Sequence, residues 1–370
     1  MSSAILIILI SLGLGLVGGV VMHRSDFCLA GAIRDIFLFR HSPLFPSLVL
    51  LIALNIVFIE IARLAGWVVY ELPSSLFGMP SLTTLAGGFF FGIGMVLAGG
   101  CVVGALYKFG AGSLSAFVAI MGMVVGSFAY VSLHPYWAGL AQKTRLSESA
   151  TLPQLLGLNQ TVTMAVVVLL LLYMVARWQR QGVLVRPSFV PGFLQPWTAG
   201  VLLALITVVS FVTVGMPLGI TTSYSKAGAY AAQLVAPAWI ASQDFLQLRG
   251  FTYYSPLTER VLTAGPGPYL DGLSLVQFPL IGGIVLGSFF SSVQMKKFTI
   301  HWNVPGIQLV SAMLGGVLMG MASRMSPACN VWHLLGGIPL LSLQSALFFI
   351  GLFPGAWIGT RLLTHYVVRV

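Results

Sequence analysis

Three cysteines carry the most evident chemistry in this 370-residue chain, and each closely follows residues that break or cap a helix. Cys28 follows Ser25-Asp26, Cys101 follows Gly99-Gly100, and Cys329 follows Ser326-Pro327. This pattern predicts that each thiol lies in the first turn of a helix, where free backbone N–H groups and the positive end of the helix dipole attract anions. A thiol is a weak donor and a polarizable partner, so it can contact a sulfur atom without retaining it. The spacing therefore predicts a site for a sulfur-bearing anion.

The composition places these thiols in a membrane protein. Hydrophobic residues make up 58% of the chain and charged residues 7%, with a mean hydropathy of +0.97, which excludes a soluble globular protein. The basic residues behind the net charge of +10 are scattered, so nothing indicates nucleic-acid binding. We predict an all-α polytopic fold with about nine transmembrane helices and short re-entrant half-helices. The predicted spans are approximately 4–22, 45–65, 83–101, 114–133, 161–178, 197–215, 274–294, 307–325 and 340–363.

Two parts of the chain repeat each other. Gly87, Gly88, Gly92 and Cys101 recur at a constant offset as Gly315, Gly316, Gly320 and Cys329. After a one-residue insertion, Ser113, Leu114, Gly122 and Gly126 recur as Ser342, Leu343, Gly351 and Gly355. Spans three and four then match spans eight and nine, and an odd offset inverts the topology of the second half. We predict an N-terminal inverted repeat at 1–150, a connector helix with a cytoplasmic loop at 151–195, and a C-terminal repeat at 196–370.

The candidate site lies where the two predicted repeats meet, because half-helices there can aim free N–H groups at an anion inside the bilayer. A weaker match aligns Ala30-Gly31-Ala32 with Ala227-Gly228-Ala229 and places Ser225 opposite Cys28. Arg24 precedes the first thiol and can attract an anion. A lone buried cysteine is commonly a small apolar filler, but equivalent positions in both halves favour a site. The predicted binding residues are Cys28, Cys101, Cys329, Gly100, Arg24, Ser225 and Asn330.

The segments around the thiols resemble the three signature segments of the YeeE/YedE family of bacterial sulfur-compound transporters. These segments are Arg24–Gly31 with Arg34-Asp35, Ala98–Cys101 with Gly104 and Tyr107-Lys108, and Ala328–Asn330 with Gly336. The resemblance implies import of thiosulfate through an hourglass-like path, with Cys28, Cys101 and Cys329 along it. It also implies a cytoplasmic partner, a small TusA-type sulfur-carrier protein. Neither a cofactor nor a metal site is indicated, and the sequence leaves the energy source open.

The third segment departs from the family pattern. The family usually has a glycine pair before its last cysteine, whereas this chain has Ser326-Pro327-Ala328. The bulky Trp332 occupies the position that corresponds to Gly104 in the first repeat, so we expect unequal funnels and either a narrower neck or a different substrate. His333 follows, and we expect a carbonyl to satisfy its ring rather than a ligand.

The distribution of Lys and Arg in short loops predicts the orientation. One set of loops carries most of them: Arg24, Arg34, Arg40, Lys108, Arg177, Arg180, Arg186, Lys296, Lys297, Arg361 and Arg369. We therefore expect the N-terminus outside and the C-terminus in the cytoplasm of a bacterial inner membrane. Within span two, Glu60 and Arg63 are spaced to form an ion pair on one helix face.

Three functions fit these residues. An importer of thiosulfate or a related sulfur anion fits best, because it explains why the cysteines stand at matched helix starts. A transporter of a selenium compound or another sulfur species is compatible with the altered third segment. A membrane thiol enzyme that transfers sulfur or electrons explains the cysteines but not their symmetry, so we do not expect an enzyme. No C-x-x-C pair is present, and we expect all three thiols to be free.

Overall fold

A computed structural model describes residues 3–71, 77–185 and 192–368. Arg186 and Arg369, used above for the orientation, lie outside the described residues. The fifteen helices within these ranges are α1 Ser3–Ser25, α2 Leu29–Phe39, α3 Phe45–Leu64, α4 Leu82–Leu97, α5 Val102–Gly110, α6 Leu114–Lys143, α7 Leu152–Leu156, α8 Gln160–Arg180, α9 Pro196–Thr213, α10 Thr221–Gln233, α11 Pro237–Ala241, α12 Asp244–Gln247, α13 Gly272–Gln294, α14 Gly306–Met325 and α15 Leu343–Leu362. A hairpin of β1 Phe251–Ser255 and β2 Arg260–Ala264 forms an antiparallel pair. A π-helix at Trp332–Gly337 and a 3-10 turn at Ile338–Leu340 precede α15, and a second π-helix at Leu363–Val368 follows it.

Nine helical segments in the described ranges are long and apolar enough to cross a bilayer. They are Ser3–Phe39, Phe45–Leu64, Leu82–Gly110, Leu114–Lys143, Gln160–Arg180, Pro196–Thr213, Gly272–Gln294, Gly306–Met325 and Leu343–Val367. Every predicted span overlaps one of them. The predicted all-α polytopic membrane fold is confirmed.

The predicted helix breaks have identifiable causes. α4 ends where Gly99 adopts a left-handed conformation with φ +70°. The N–H groups of Gly99 and Gly100 donate to the carbonyls of Val96 and Met95, which satisfies the end of the helix. α1 ends at Ser25, and the next residue, Asp26, has a left-handed backbone conformation with φ +49°.

Close glycine contacts between helices follow the sequence repeat. A Cβ at Gly88 would collide with the carbonyl oxygen of Phe348, and one at Gly316 with that of Ala119. The repeat maps the first of these pairs onto the second. Three further contacts correspond in the same way. Gly92 lies against Leu352 as Gly320 lies against Met123, Gly351 lies against Leu85 as Gly122 lies against Met313, and Gly355 lies against Phe89 as Gly126 lies against Val317. The α4–α15 and α6–α14 interfaces are therefore the pairs that a two-fold relation between the halves predicts, while the limits of the repeats stay a prediction.

Two features lie outside this packed centre. α8 packs mainly on α3 and has little buried surface, with Val166, Leu169 and Tyr173 exposed. This suits a connector that faces lipid. The segment between α9 and α13 contains α10 to α12 and the hairpin.

Candidate functional site

Cys28 and Cys101 occupy the N-cap positions of α2 and α5, directly before the first helical residue. We expected them one position further on, inside the first turn. Both thiols are buried and free, and their side chains interact with each other. A Cβ at Gly104 would stand 2.9 Å from the Cys28 sulfur and 3.5 Å from the Cys101 sulfur. Gly104 thus leaves the space in which the two thiols meet.

Backbone N–H groups lie near both of these sulfur atoms. The N–H of Gly104, in the first turn of α5, donates to the Cys101 sulfur at 3.4 Å. The N–H groups of Gly31 and of Cys101 itself approach the Cys28 sulfur. Partial positive charge at both helix starts therefore surrounds the pair of thiols, as the sequence pattern predicts.

Cys329 is buried and free at the start of the helical segment that begins at Asn330. The N–H groups of Val331 and Trp332, which follow it, approach the Cys329 sulfur. A third N–H comes from Ile220, the N-cap of α10. Two helix starts thus converge on this thiol, one from its own segment and one from α10.

Polar groups connect the third thiol with the other two. Asn330 is fully buried, and its side chain approaches the Cys101 thiol, yet neither its amide nitrogen nor its amide oxygen makes a conventional hydrogen bond to any residue that the structure describes. The buried hydroxyl of Tyr224 also lacks a hydrogen-bond partner among the described residues and lies close enough to Cys329 and Cys101 to interact with both. Because buried polar groups normally have partners, these vacant bonds indicate where a polar ligand can bind.

A buried arginine lies at one end of this series. Arg324, near the end of α14, lines a cavity of about 50 Å³ together with Cys329, Gln277 and Trp332. It also lines a larger cavity of about 370 Å³, whose polar and aromatic wall includes Ser81, Thr83, Thr84, Tyr130, His134 and Gln344. Arg324, Pro327 and Phe251 are common to both cavities and separate them.

A different cavity reaches the other end of the series. Cys28 lines a space of about 200 Å³ with the charged residues Asp26, Arg34, Asp35 and Lys108. The Lys108 ammonium donates to the carbonyl of Gly99 at 2.7 Å. Arg34 and Asp35 form an ion pair at 2.8 Å, and the other two charged groups of the cavity are the Lys108 ammonium and the Asp26 carboxylate, which accepts a hydrogen bond from the Tyr107 hydroxyl at 2.9 Å.

The course of α6 places these cavities at opposite ends of the protein. Its 30 residues extend about 45 Å at roughly 1.5 Å per residue. His134 and Trp137, in its last third, line the cavity that contains Arg324. Lys108 lies just before its first turn and lines the cavity of Cys28. The three thiols lie between the two ends.

Three predicted site residues have other partners in the structure. The Arg24 guanidinium donates to Ser291 at 3.4 Å and to Gln294 at 2.5 Å, at the end of α13. The hydroxyl of Ser225 donates to the carbonyl of Ser127 on α6 at 3.5 Å. The N–H of Gly100 is used to cap α4. These contacts do not join the thiol series, and a role of the three residues in binding stays a prediction.

Trp332 and His333, which follow Cys329 in the third segment, lie beside the candidate site and make structural contacts there. His333 is buried, with Nε2 donating to the carbonyl of Ser326 at 3.0 Å, which leaves Nδ1 to accept from Ser345 at 2.9 Å. The expectation of a satisfied histidine is confirmed. Trp332 packs against Phe77 and Gly219 and lines the cavity of about 50 Å³, whereas its counterpart Gly104 makes room for two thiols.

Sequence reasoning missed Arg324 and Tyr224. Arg324 stands at the end of an apolar span, where a basic residue is ordinarily a marker of the membrane boundary. The feature of the sequence that could have indicated a role for Arg324 is its position five residues before the candidate cysteine Cys329. Tyr224 lies one position from Ser225, which the repeat alignment selected instead. The expected pair of Glu60 and Arg63 is confirmed at 2.6 Å.

The profile of a protein family described as sulphur transport matches residues 24–358 of the chain. The chain belongs to this family. It is 28% identical to the thiosulfate transporter TsuA of Spirochaeta thermophila, over 93% of this chain and 96% of that protein. It is 26% identical to the thiosulfate transporter TsuA of Escherichia coli K12, over 92% and 90% of the two chains. A shorter match of 27% identity joins 30% of this chain to 26% of the probable transporter YedE of Escherichia coli K12.

Membership covers both halves and all three cysteines. It confirms the resemblance to the YeeE/YedE family and indicates a sulfur-compound transporter rather than an enzyme. Together with the nine apolar helical segments, it identifies a multi-pass membrane transporter.

Proposed function

We propose that the protein imports thiosulfate across a bacterial inner membrane, past Cys329, Cys101 and Cys28 in that order. One observation carries the proposal: three buried thiols at helix starts form a series between cavities at opposite ends of the protein. The names of the relatives matched over nearly their whole length support the choice of thiosulfate.

The geometry suggests how the anion crosses. S–H groups and backbone N–H groups at the helix starts replace its water of hydration in small steps, and Asn330 and Tyr224 add donors between the second and third thiols. Weak donors at several sites allow release as well as binding, because no single position holds the anion strongly. Binding and release account for transport without a covalent step.

The orientation and partner belong to the same proposal. The N-terminus is outside and the C-terminus is in the cytoplasm, so the cavity of Arg324 faces outward and that of Cys28 inward. A TusA-type carrier protein receives the sulfur at the inner cavity. A C-terminal fusion to alkaline phosphatase or green fluorescent protein tests the orientation: fluorescence without phosphatase activity supports it, and phosphatase activity contradicts it.

A competition assay tests the substrate. Cells that depend on this protein take up thiosulfate labelled with ³⁵S while unlabelled thiosulfate, sulfite, sulfate or selenosulfate is added. We expect thiosulfate to compete strongly and sulfate, which has the same charge without the terminal sulfur, to compete weakly. Equal competition by sulfate would contradict a sulfur-specific path. Stronger competition by selenosulfate would contradict thiosulfate as the main cargo and favour a selenium compound.

A further inference from the structure

We propose that Arg324 binds the negatively charged oxygen atoms of the incoming anion, in a site bounded by Thr221, Thr222, Gln277 and Cys329. This inference rests on the proposed function and adds the residue that selects for an oxyanion. The residue that supplies the positive charge for the anion is then Arg324, near the end of α14, rather than Arg24, the basic residue that precedes the first thiol.

The first argument is the uncompensated charge. Arg324 is 92% buried, and no carboxylate within the described residues forms an ion pair with it. Burying a guanidinium without a counter-ion is costly in a membrane protein, and such residues usually mark the path of a substrate or ion. Lys226, the other deeply buried cation, has its carboxylate partner Asp271 at 2.9 Å. The contrast indicates that the partner of Arg324 is a ligand.

The second argument is the set of vacant donors. Nη2 of Arg324 donates to Thr221 at 2.6 Å and Nη1 donates to Thr222 at 3.1 Å. A guanidinium has five N–H groups, and its buried Nε has no partner in the described structure. The two hydroxyls fix the plane of the guanidinium, while the Nε side stays available for an oxygen atom. Because threonine hydroxyls are neutral, they do not compensate the positive charge of the guanidinium, whereas a carboxylate would.

The third argument is the position between two cavities. Arg324 faces the larger cavity of about 370 Å³ and shares the smaller cavity of about 50 Å³ with Cys329. An anion in the smaller cavity therefore meets a guanidinium and a thiol together. Sulfonate oxygens match the planar N–H fork of arginine, and a terminal sulfur atom matches the softer thiol. Such a site favours an oxyanion that also carries an exposed sulfur atom.

The test uses purified protein in liposomes, with thiosulfate uptake measured over a range of concentrations. Arg324→Gln and Arg324→Met remove the charge, Arg324→Lys keeps it without the fork, and Arg260→Gln, an exposed arginine of the hairpin, is the control. We expect the KM for thiosulfate to rise at least about tenfold in the Gln and Met variants and less in the Lys variant. The control keeps the wild-type KM.

A second measurement separates a binding role from a structural one. Because no carboxylate within the described residues pairs with the guanidinium, the Gln and Met variants should unfold in detergent at the wild-type temperature or above it, and added thiosulfate should no longer raise that temperature. An unchanged KM, or unfolding at a clearly lower temperature, would overturn the inference. Failure of the wild-type protein to accumulate thiosulfate would instead refute the proposed function.

Discussion

Gly104 leaves room for the sulfur of Cys28, because a Cβ at this position would stand 2.9 Å from that sulfur and 3.5 Å from the Cys101 sulfur. Contacts under 3.0 Å between a Cβ and another heavy atom require something to move. Gly104 lies in the first turn of α5, so the start of this helix determines how much space there is between the two thiols.

We predict that Gly104→Ala lowers thiosulfate uptake at least about tenfold while the protein still inserts and purifies normally. The added methyl group displaces the Cys28 thiol and narrows the path. Uptake in liposomes measures the effect. Gly139→Ala is the control, because a Cβ at Gly139 in α6 meets nothing within 4 Å. Wild-type uptake by Gly104→Ala would show that the substrate does not pass between these thiols.

Loss of the Tyr224 hydroxyl or of the Asn330 amide, two neutral groups next to the thiols, should lower transport and have little effect on stability. Tyr224→Phe removes a buried hydroxyl that has no hydrogen-bond partner in the described part of the chain, so we expect an unfolding temperature at or above that of the wild type. Uptake should nevertheless fall several-fold, because a donor between Cys329 and Cys101 is lost. Asn330→Ala should act in the same direction. Tyr70→Phe is the matched control, since its hydroxyl donates to the carbonyl of Phe211 at 2.7 Å and its loss should cost stability instead. Full uptake by both Tyr224→Phe and Asn330→Ala would place the path elsewhere.

Equivalent glycines of the two repeats should respond alike to substitution. A Cβ at Gly88 collides with the carbonyl of Phe348, and a Cβ at Gly316 collides with that of Ala119. We predict that Gly88→Val and Gly316→Val lower the unfolding temperature in detergent by similar amounts, because each separates one of two related helix pairs. Gly282→Val in α13 is the control, with open space around the Cβ. A large loss for one glycine and none for the other would argue against equivalent halves.

The buried pair of Lys226 and Asp271 should stabilise the contact between α10 and the start of α13. The Lys226 ammonium donates to the carbonyls of Gly267 and Tyr269 and to Asp271, and burial lowers its pKa while the Asp271 carboxylate opposes that effect. Lys226→Met should cost about 3–5 kcal/mol of unfolding free energy, since it leaves a carboxylate without its counter-ion. The double variant Lys226→Met, Asp271→Asn should regain part of this loss in chemical denaturation. A double variant as unstable as the sum of both single changes would contradict the pairing argument.

The sequence predicts much of this fold because a bilayer imposes simple rules. Runs of about 20 apolar residues identify the spans, and Gly99 and Ser326-Pro327 interrupt two of them where the helices do end. The repeated glycines anticipate the α4–α15 and α6–α14 contacts, because close helix packing requires small residues at fixed spacing.

The site could be predicted only in part, because its remaining residues depend on tertiary contacts. Arg24 reaches Ser291 and Gln294 far along the chain, which local sequence cannot indicate. The hairpin Phe251–Ala264 was not predicted, since neither strand has a strong alternating pattern of its own. Arg324 could be recognised as a candidate site residue only once its burial and the absence of a carboxylate partner within the described residues were known.

Uptake of thiosulfate by liposomes that contain single cysteine variants tests the central claim most directly. Cys28→Ala, Cys101→Ala and Cys329→Ala each remove one thiol from the series, with the wild-type protein and empty liposomes as references. The account predicts that all three variants insert normally and that each loses most of the uptake, since every thiol is one step of a single path. Undiminished uptake in the Cys101→Ala and Cys329→Ala variants would contradict it.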